Sequence, residues 1–310
     1  MPTSLREFED DTAFERYILD RATPLIPRSQ GTSVIELEDP SSTSVSVGLS
    51  PATVHVGVSD STRGTGDQLS PDDIRPLLFG AAWKVLDQLI ELALERAGVP
   101  YDRGWSYTIT LKVKKAAGQG VPPVPPFHGH PDIWSRALLT YSSTDVLRNS
   151  LVHRRLIVNH ATGAIDGVVR PGQPAPTVLT ADEQSAFCRV AAGISEAVIK
   201  DLLPTRQADQ LAWSLDQLIS HHSQPSSGAS PAQGLVPLVI VRPSFASSGE
   251  LTLDFTNITN RARAAVGGVS HYDLQIHLPD NRVLAGPLED VPQGQVTFRV
   301  ANPPSWLHWV

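Results

Sequence analysis

The sequence predicts a multidomain α+β protein, with a central α-helical bundle between a small N-terminal α+β cap and a C-terminal all-β module. Three observations predict it. Apolar residues at 74, 77, 78, 81, 85, 89 and 92 recur at the spacing of one helical face. The chain beyond residue 235 alternates or runs apolar in short segments between turns. Between these regions lies Ser223-Gln224-Pro225-Ser226-Ser227-Gly228-Ala229-Ser230-Pro231, whose composition is that of a flexible linker. The expected divisions are therefore a cap over 1–66, a helical domain over 67–222 with a β-hairpin insertion, a linker over 223–234 and an all-β module over 235–310.

Within the cap, Leu5 to Asp20 reads as an amphipathic helix, and Ser33 to Leu37 and Val54 to Val58 as strands. The Ser, Thr and Gly of residues 59–66 read as a loop. A long core helix follows. Ser70 can cap it, Pro71 suits its first turn, Asp72 and Asp73 favour the positive end of its dipole, and Gly98 and Pro100 stop it. The segment Trp105 to Ala117 suits strand and helix equally, and Gly118 to Pro131 reads as a loop. A second helix is expected from Asp132 through Trp134, Leu138, Tyr141, Leu147 and Leu151 to His153. The pattern then switches to alternation around Ala161-Thr162-Gly163, which predicts a hairpin. The capping box of Thr180 and Glu183 opens a third helix ending before Pro204, and Gln207 to His221 makes a fourth. In the last module the strands are Leu238 to Val241, Leu251 to Phe255, Tyr272 to Ile276 and Val296 to Val300.

The net charge of −7 argues against a protein that coats nucleic acid. Its distribution qualifies that exclusion. Residues 1–100 carry 8 basic and 16 acidic side chains and residues 171–310 carry 8 and 12, whereas residues 101–170 carry 9 and 4. A positive middle segment can focus a field on one cleft while the remaining surface stays acidic. The N-terminus lacks a signal-peptide pattern and no apolar stretch reaches the length of a membrane span, so a cytoplasmic location without membrane contact is expected. Cys188 stands alone among apolar neighbours, which excludes a disulfide or a Cys-rich zinc site within the chain. The pairs His128 with His130 and His221 with His222 lack a second ligand cluster, and no nucleotide-binding or serine-hydrolase fingerprint is present. No metal or other cofactor is expected.

The helix ending at His153 carries the chemistry. Arg148-Asn149-Ser150-Leu151-Val152-His153 places a guanidinium and an imidazole four intervening residues apart, with a polar amide beside the arginine. RNA brings its own nucleophile, the 2′-hydroxyl, so cleavage needs a base for that proton, an acid for the leaving 5′-oxygen and a cation for the charge growing on phosphorus. Histidine titrates in the range proton transfer requires, and arginine offers a planar fork of donors to phosphate oxygens. Asn149 sits one turn before His153, where its amide can orient the imidazole or contact phosphate. At about 100° per residue, positions 148 and 153 diverge by roughly 140° around the axis, so one motif is a half-site.

This motif resembles the Arg-x4-His signature of the HEPN ribonucleases of toxin–antitoxin and antiphage systems, where asparagine commonly follows the arginine. The helix containing Phe79-Gly80-Ala81-Ala82-Trp83-Lys84-Val85-Leu86 is similar to first helices of that family, and the likeness spans residues 68–205. The resemblance implies a helical bundle that pairs as a homodimer, with Arg148, Asn149 and His153 catalytic, and cleavage to 2′,3′-cyclic phosphate and 5′-hydroxyl ends. Arg154, Arg155, Lys112, Lys114 and Lys115 are expected to hold RNA backbone, and the β modules to contact substrate or a protein partner. Some HEPN toxins, those neutralised by a nucleotidyltransferase antitoxin, carry a tyrosine two places after the histidine; here that place is Arg155. The alternative is a HEPN-like module that dimerises and binds a protein or nucleotide without cutting. Asp87 and Glu91, one turn apart on the first helix, are candidates for polar support of the site, with a solvated helix face as the default expectation.

Overall fold

The computed structural model describes residues 2–22, 32–37, 46–50, 71–99, 109–118, 121–153, 155–168, 178–222, 236–243, 249–266 and 271–310. In chain order the elements are α1 (Leu5–Ala22), β1 (Thr32–Leu37), β2 (Ser46–Ser50), α2 (Pro71–Arg96), α3 (Ile109–Ala116), α4 (Pro131–Ser143), α5 (Asp145–Val152), β3 (Ile157–Asn159), β4 (Ala164–Asp166), β5 (Val178–Leu179), α6 (Ala181–Lys200), α7 (Thr205–Asp216), α8 (Ile219–His222), β6 (Leu238–Val241), β7 (Glu250–Asp254), α9 (Phe255–Val266), β8 (Asp273–His277), β9 (Val283–Pro287), β10 (Gln295–Arg299) and β11 (His308–Trp309). The protein is mixed α+β and divides into two compact units, residues 1–28 with 53–230 and residues 29–52 with 231–310.

This division corrects the expected cap over 1–66. Its helix and its strands belong to different cores: Phe8 and Leu19 of α1 are fully buried in the helical unit, whereas Ile35 and Leu37 of β1 are fully buried in the other. The expected strand at 54–58 and the linker at 223–234 lie outside the described residues.

In the helical unit, α2 is the central rod. Leu78, Ala82, Val85, Leu86, Leu89 and Ala93 are buried along it, as the helical spacing requires. Gly98 ends the helix in the left-handed region (φ 64°), with its N–H on Glu95 and that of Val99 on Leu94. The ambiguous segment is helical where described, as α3. The expected helix from 132 to 153 is two helices, because three successive hydroxyl residues compete with the ladder: the buried Thr144 donates to the carbonyls of Thr140 and Tyr141 and closes α4. Arg136, 1% exposed, joins α4 to α7 through Asp216 at 2.5 Å.

β3 and β4 form the expected hairpin, and β5 adds to it antiparallel. Gly163 turns it with φ 68°, and a Cβ there would lie 2.4 Å from the buried Arg75 guanidinium. Gln184 of α6 fastens this small sheet by donating to the carbonyls of Gly163 and Leu179 at 2.8 and 3.1 Å.

The capping box of α6 is present in both directions, Thr180 N–H to Glu183 and Glu183 N–H to Thr180. Glu183 also accepts from Ser220 at 3.0 Å and pairs with His221 at 3.2 Å. Burial opposes ionisation of this carboxyl, but the bonds from His221 and Thr180 outweigh it and hold the pKa down at about 2, against an ordinary 4.5. A depressed carboxylate stabilises the fold above its unfolded pKa and stops doing so as pH falls through the folded one. Glu183→Gln is therefore expected to cost about 2–3 kcal/mol at pH 6 and almost nothing at pH 2, a difference read by denaturant unfolding across that window. A cost independent of pH would contradict this account.

The second unit is not all-β. Its six-stranded sheet has the order β11-β9-β8-β6-β1-β2, with β1, β6 and β8 mutually parallel and the remaining neighbours antiparallel. Parallel neighbours explain why β6 reads as an unbroken apolar run, Leu238-Val239-Ile240-Val241. Helix α9 buries Phe255, Ile258, Thr259 and Ala262 along one face, and β7 pairs with β10 in a separate ribbon. No described helix is long and apolar enough to cross a membrane.

Candidate active site

Helix α5 carries the motif and lies against α2 and the hairpin. The second of these contacts is made from within the motif: Ser150 is buried and its hydroxyl accepts the N–H of Val168 at 3.0 Å, while Gly167 fits against Val146 and Ser150. Gly80 of α2 faces Leu151 so closely that a Cβ there would come within 2.8 Å of the leucine methyl. The motif therefore alternates residues that fasten the helix with residues that leave it.

Arg148 is half-buried. Its guanidinium carbon lies 5.1 Å from the centroid of the Trp83 ring, and Nη1 donates to Asn149 Oδ1 at 3.0 Å. Trp83 in turn stacks on Tyr141, with centroids 4.4 Å apart and planes inclined by 24°. The Tyr141 hydroxyl donates to Asp87 Oδ1. Burial, then the charge of Asp87, pushes this phenol far above its ordinary range, so it stays protonated and keeps donating. Asp87 also accepts from Lys112 Nζ at 2.7 Å, and Lys112 reaches Glu91 at 2.6 Å. A continuous chain of contacts thus runs from the motif arginine through two aromatic rings into a buried ionic cluster.

His153 caps the end of α5, its N–H on the carbonyls of Asn149 and Leu151, and its side chain is exposed. Arg155 is exposed, with its N–H on Ser150 at 2.7 Å. Arg154 lies outside the described residues. The structure joins Arg148 to Asn149 through their side chains and sets His153 in solvent at the end of the same helix.

Two expectations change. Lys112 does not line a cleft: it is 4% exposed, because two carboxylates on α2 draw it inward. The same pairing removes Asp87 and Glu91 from the solvated face expected for them. Lys114 is exposed and Lys115 half-buried on the last turn of α3. Nothing in the spacing of the motif marks Trp83, Tyr141 or Asp87; the available signal was a tryptophan, an aspartate and a glutamate at turn intervals on α2, the first of them in the Phe79 to Leu86 segment.

Elsewhere, His128 is exposed on a short 3-10 turn and His130 precedes α4. Among the described residues no three side chains of metal-ligating type lie together. Cys188 is buried, and burial pushes its thiol up to about 12. Comparison of the chain with protein-family models, curated proteins and solved structures returns no match. Any functional reading therefore rests on the chemistry of the site.

Proposed function

We propose that the helical unit is a HEPN-type ribonuclease domain and that the protein cuts RNA without a metal ion, as a toxin or antiphage effector. The observation that carries this reading is the Arg148 guanidinium stacked on Trp83, with His153 exposed at the end of the same helix. An arginine held half-buried over a ring and an exposed histidine at the end of the same helix, followed by the exposed Arg155, suit the handling of an anion.

In the reaction, the 2′-oxygen of the RNA attacks the adjacent phosphorus and the bond from phosphorus to the 5′-oxygen breaks, leaving a 2′,3′-cyclic phosphate and a 5′-hydroxyl. Arg148 balances the charge that builds on the non-bridging oxygens. His153 delivers a proton to the 5′-oxygen. The base is His153 of a second copy, since one helix aims 148 and 153 only partly together, and a two-fold homodimer supplies the complementary pair. Arg155 holds the backbone on either side of the cut without reading sequence, and the second unit serves recognition of substrate or of a protein partner.

The test is cleavage of a mixed tRNA and single-stranded RNA panel in EDTA by wild type and by His153→Ala. Cyclic-phosphate ends are expected from the wild type, with a loss of about 10²–10⁴-fold in the variant. Because His153 is exposed, its removal is expected to leave the unfolding temperature unchanged. Absence of cleavage by both proteins would favour the non-catalytic binding module.

A further inference from the structure

We infer that Trp83 is a positioning residue: it holds the Arg148 guanidinium at the surface as a flat, oriented anion receptor, and the Tyr141-Asp87-Lys112-Glu91 cluster beneath fixes the plane of the indole. The inference rests on the proposed reading for the identity of the anion, an RNA phosphate, and on geometry for the rest. A free arginine side chain explores many rotamers, and ordering it on demand costs conformational entropy. A guanidinium already lying on a ring face has little of that freedom left, so it meets a phosphate with its donors in place.

Three features of the stack go beyond what core packing requires. Trp83 is 4% exposed, yet among the described residues its indole N–H has no acceptor, so the residue serves through its ring face, which a phenylalanine keeps and a leucine does not. The ring packed against it is a tyrosine whose hydroxyl is tied to a carboxylate, which restrains that ring from sliding across the indole. That carboxylate is in turn held by a buried lysine bridging to a second carboxylate. The cluster of Asp87, Glu91 and Lys112 carries one formal negative charge in excess, and Arg148, over the Trp83 ring, supplies a positive charge at the other end of the chain of contacts. Arg148 is thereby held by charge as well as by stacking, and it is half-buried rather than enclosed.

The test uses the full chain as wild type, Trp83→Phe, Trp83→Leu and Arg148→Lys, the last to assign the Arg148 Nε–Hε resonance by its disappearance. The probe is a short RNA with 2′-O-methyl groups, which binds but cannot be cut. In the wild type the Arg148 resonance should stand apart from other arginines through the ring current, and it should move on adding the probe. Trp83→Leu should return the resonance to the arginine pool and weaken probe binding by about five- to tenfold, whereas Trp83→Phe, which keeps a ring face, should stay within about twofold of wild type. A merely structural role would not produce that graded rescue in properly folded variants.

An Arg148 resonance indifferent to Trp83→Leu or to the probe, or equal probe affinity in wild type and Trp83→Leu, would overturn the inference. If Trp83→Leu does not fold, the Trp83→Phe resonance decides: a position still displaced from the arginine pool supports the stack, and one within the pool overturns it. Unmodified RNA is assayed in parallel. An Arg148 that behaves as expected in a protein that cuts nothing would sink the ribonuclease reading and leave the positioning role standing.

Discussion

Replacing Lys112 with methionine is expected to lower the stability of the helical unit by about 3–5 kcal/mol. Methionine fills nearly the same volume, so the loss is electrostatic. Asp87 and Glu91 would remain where α2 places them, with their shared cation gone and little solvent to replace it. The comparison that isolates this cause is a double-mutant cycle with Glu91→Gln. Removing one of the two orphaned charges should recover a substantial part of the loss, giving a coupling of about 1–3 kcal/mol. Additive costs in denaturant unfolding would mean that the lysine stem, not its charge, matters.

The second large effect is expected on the proposed ribonuclease activity. Arg148→Lys should reduce cleavage by about 10²–10³-fold while changing stability little, and Arg148→Ala should damage both. Lysine preserves the positive charge that balances the cluster beneath Trp83 and Tyr141, and an ammonium still finds favourable contact over an indole. What it lacks is the planar fork that engages two phosphate oxygens at once. The two variants therefore separate the arginine as a counter-charge from the arginine as a transition-state ligand. Parallel measurements of initial rate and unfolding midpoint decide the matter. Full activity in Arg148→Lys would remove the arginine from the chemistry.

Much of the helical unit could be read from the chain because its information is local. The burial of Leu78, Val85 and Leu89 follows a 3.6-residue period, the capping box of Thr180 and Glu183 is a four-residue pattern, and the hairpin at Gly163 lies within ten residues. The break at Thr144 was also written locally, in three hydroxyl residues, but the apolar spacing continuing through Leu147 and Leu151 outweighed it. Helix α9 was hidden by its setting: Phe255, Ile258 and Ala262 carry a helical spacing, yet they follow directly on a strand and sit among other strands.

The long-range features had no such trace. Lys112 looks like any surface lysine until α2 brings two carboxylates to it from more than twenty positions earlier. Of the candidate site, the motif itself was legible and Asp87 and Glu91 could be named as polar support; the ring stack that joins them to Arg148 was not, because a tryptophan and a tyrosine on different helices meet only in three dimensions.

The pairing of β1 with β6 sets a condition on how the protein is made. Val34 lies beside Leu238, about 200 residues later in the chain, and the two are neighbours in the middle of the sheet. At about 5–20 residues per second on the ribosome, β1 waits at least about 10 s for its partner, and the helical unit, made of residues 1–28 and 53–230, can fold in that interval. Any fragment that begins after residue 52 would leave one side of β6 open as a bare strand edge, an invitation to aggregate. For expression of the second unit alone, the sensible design is an internal deletion that splices residues 29–52 onto the segment beginning at 231.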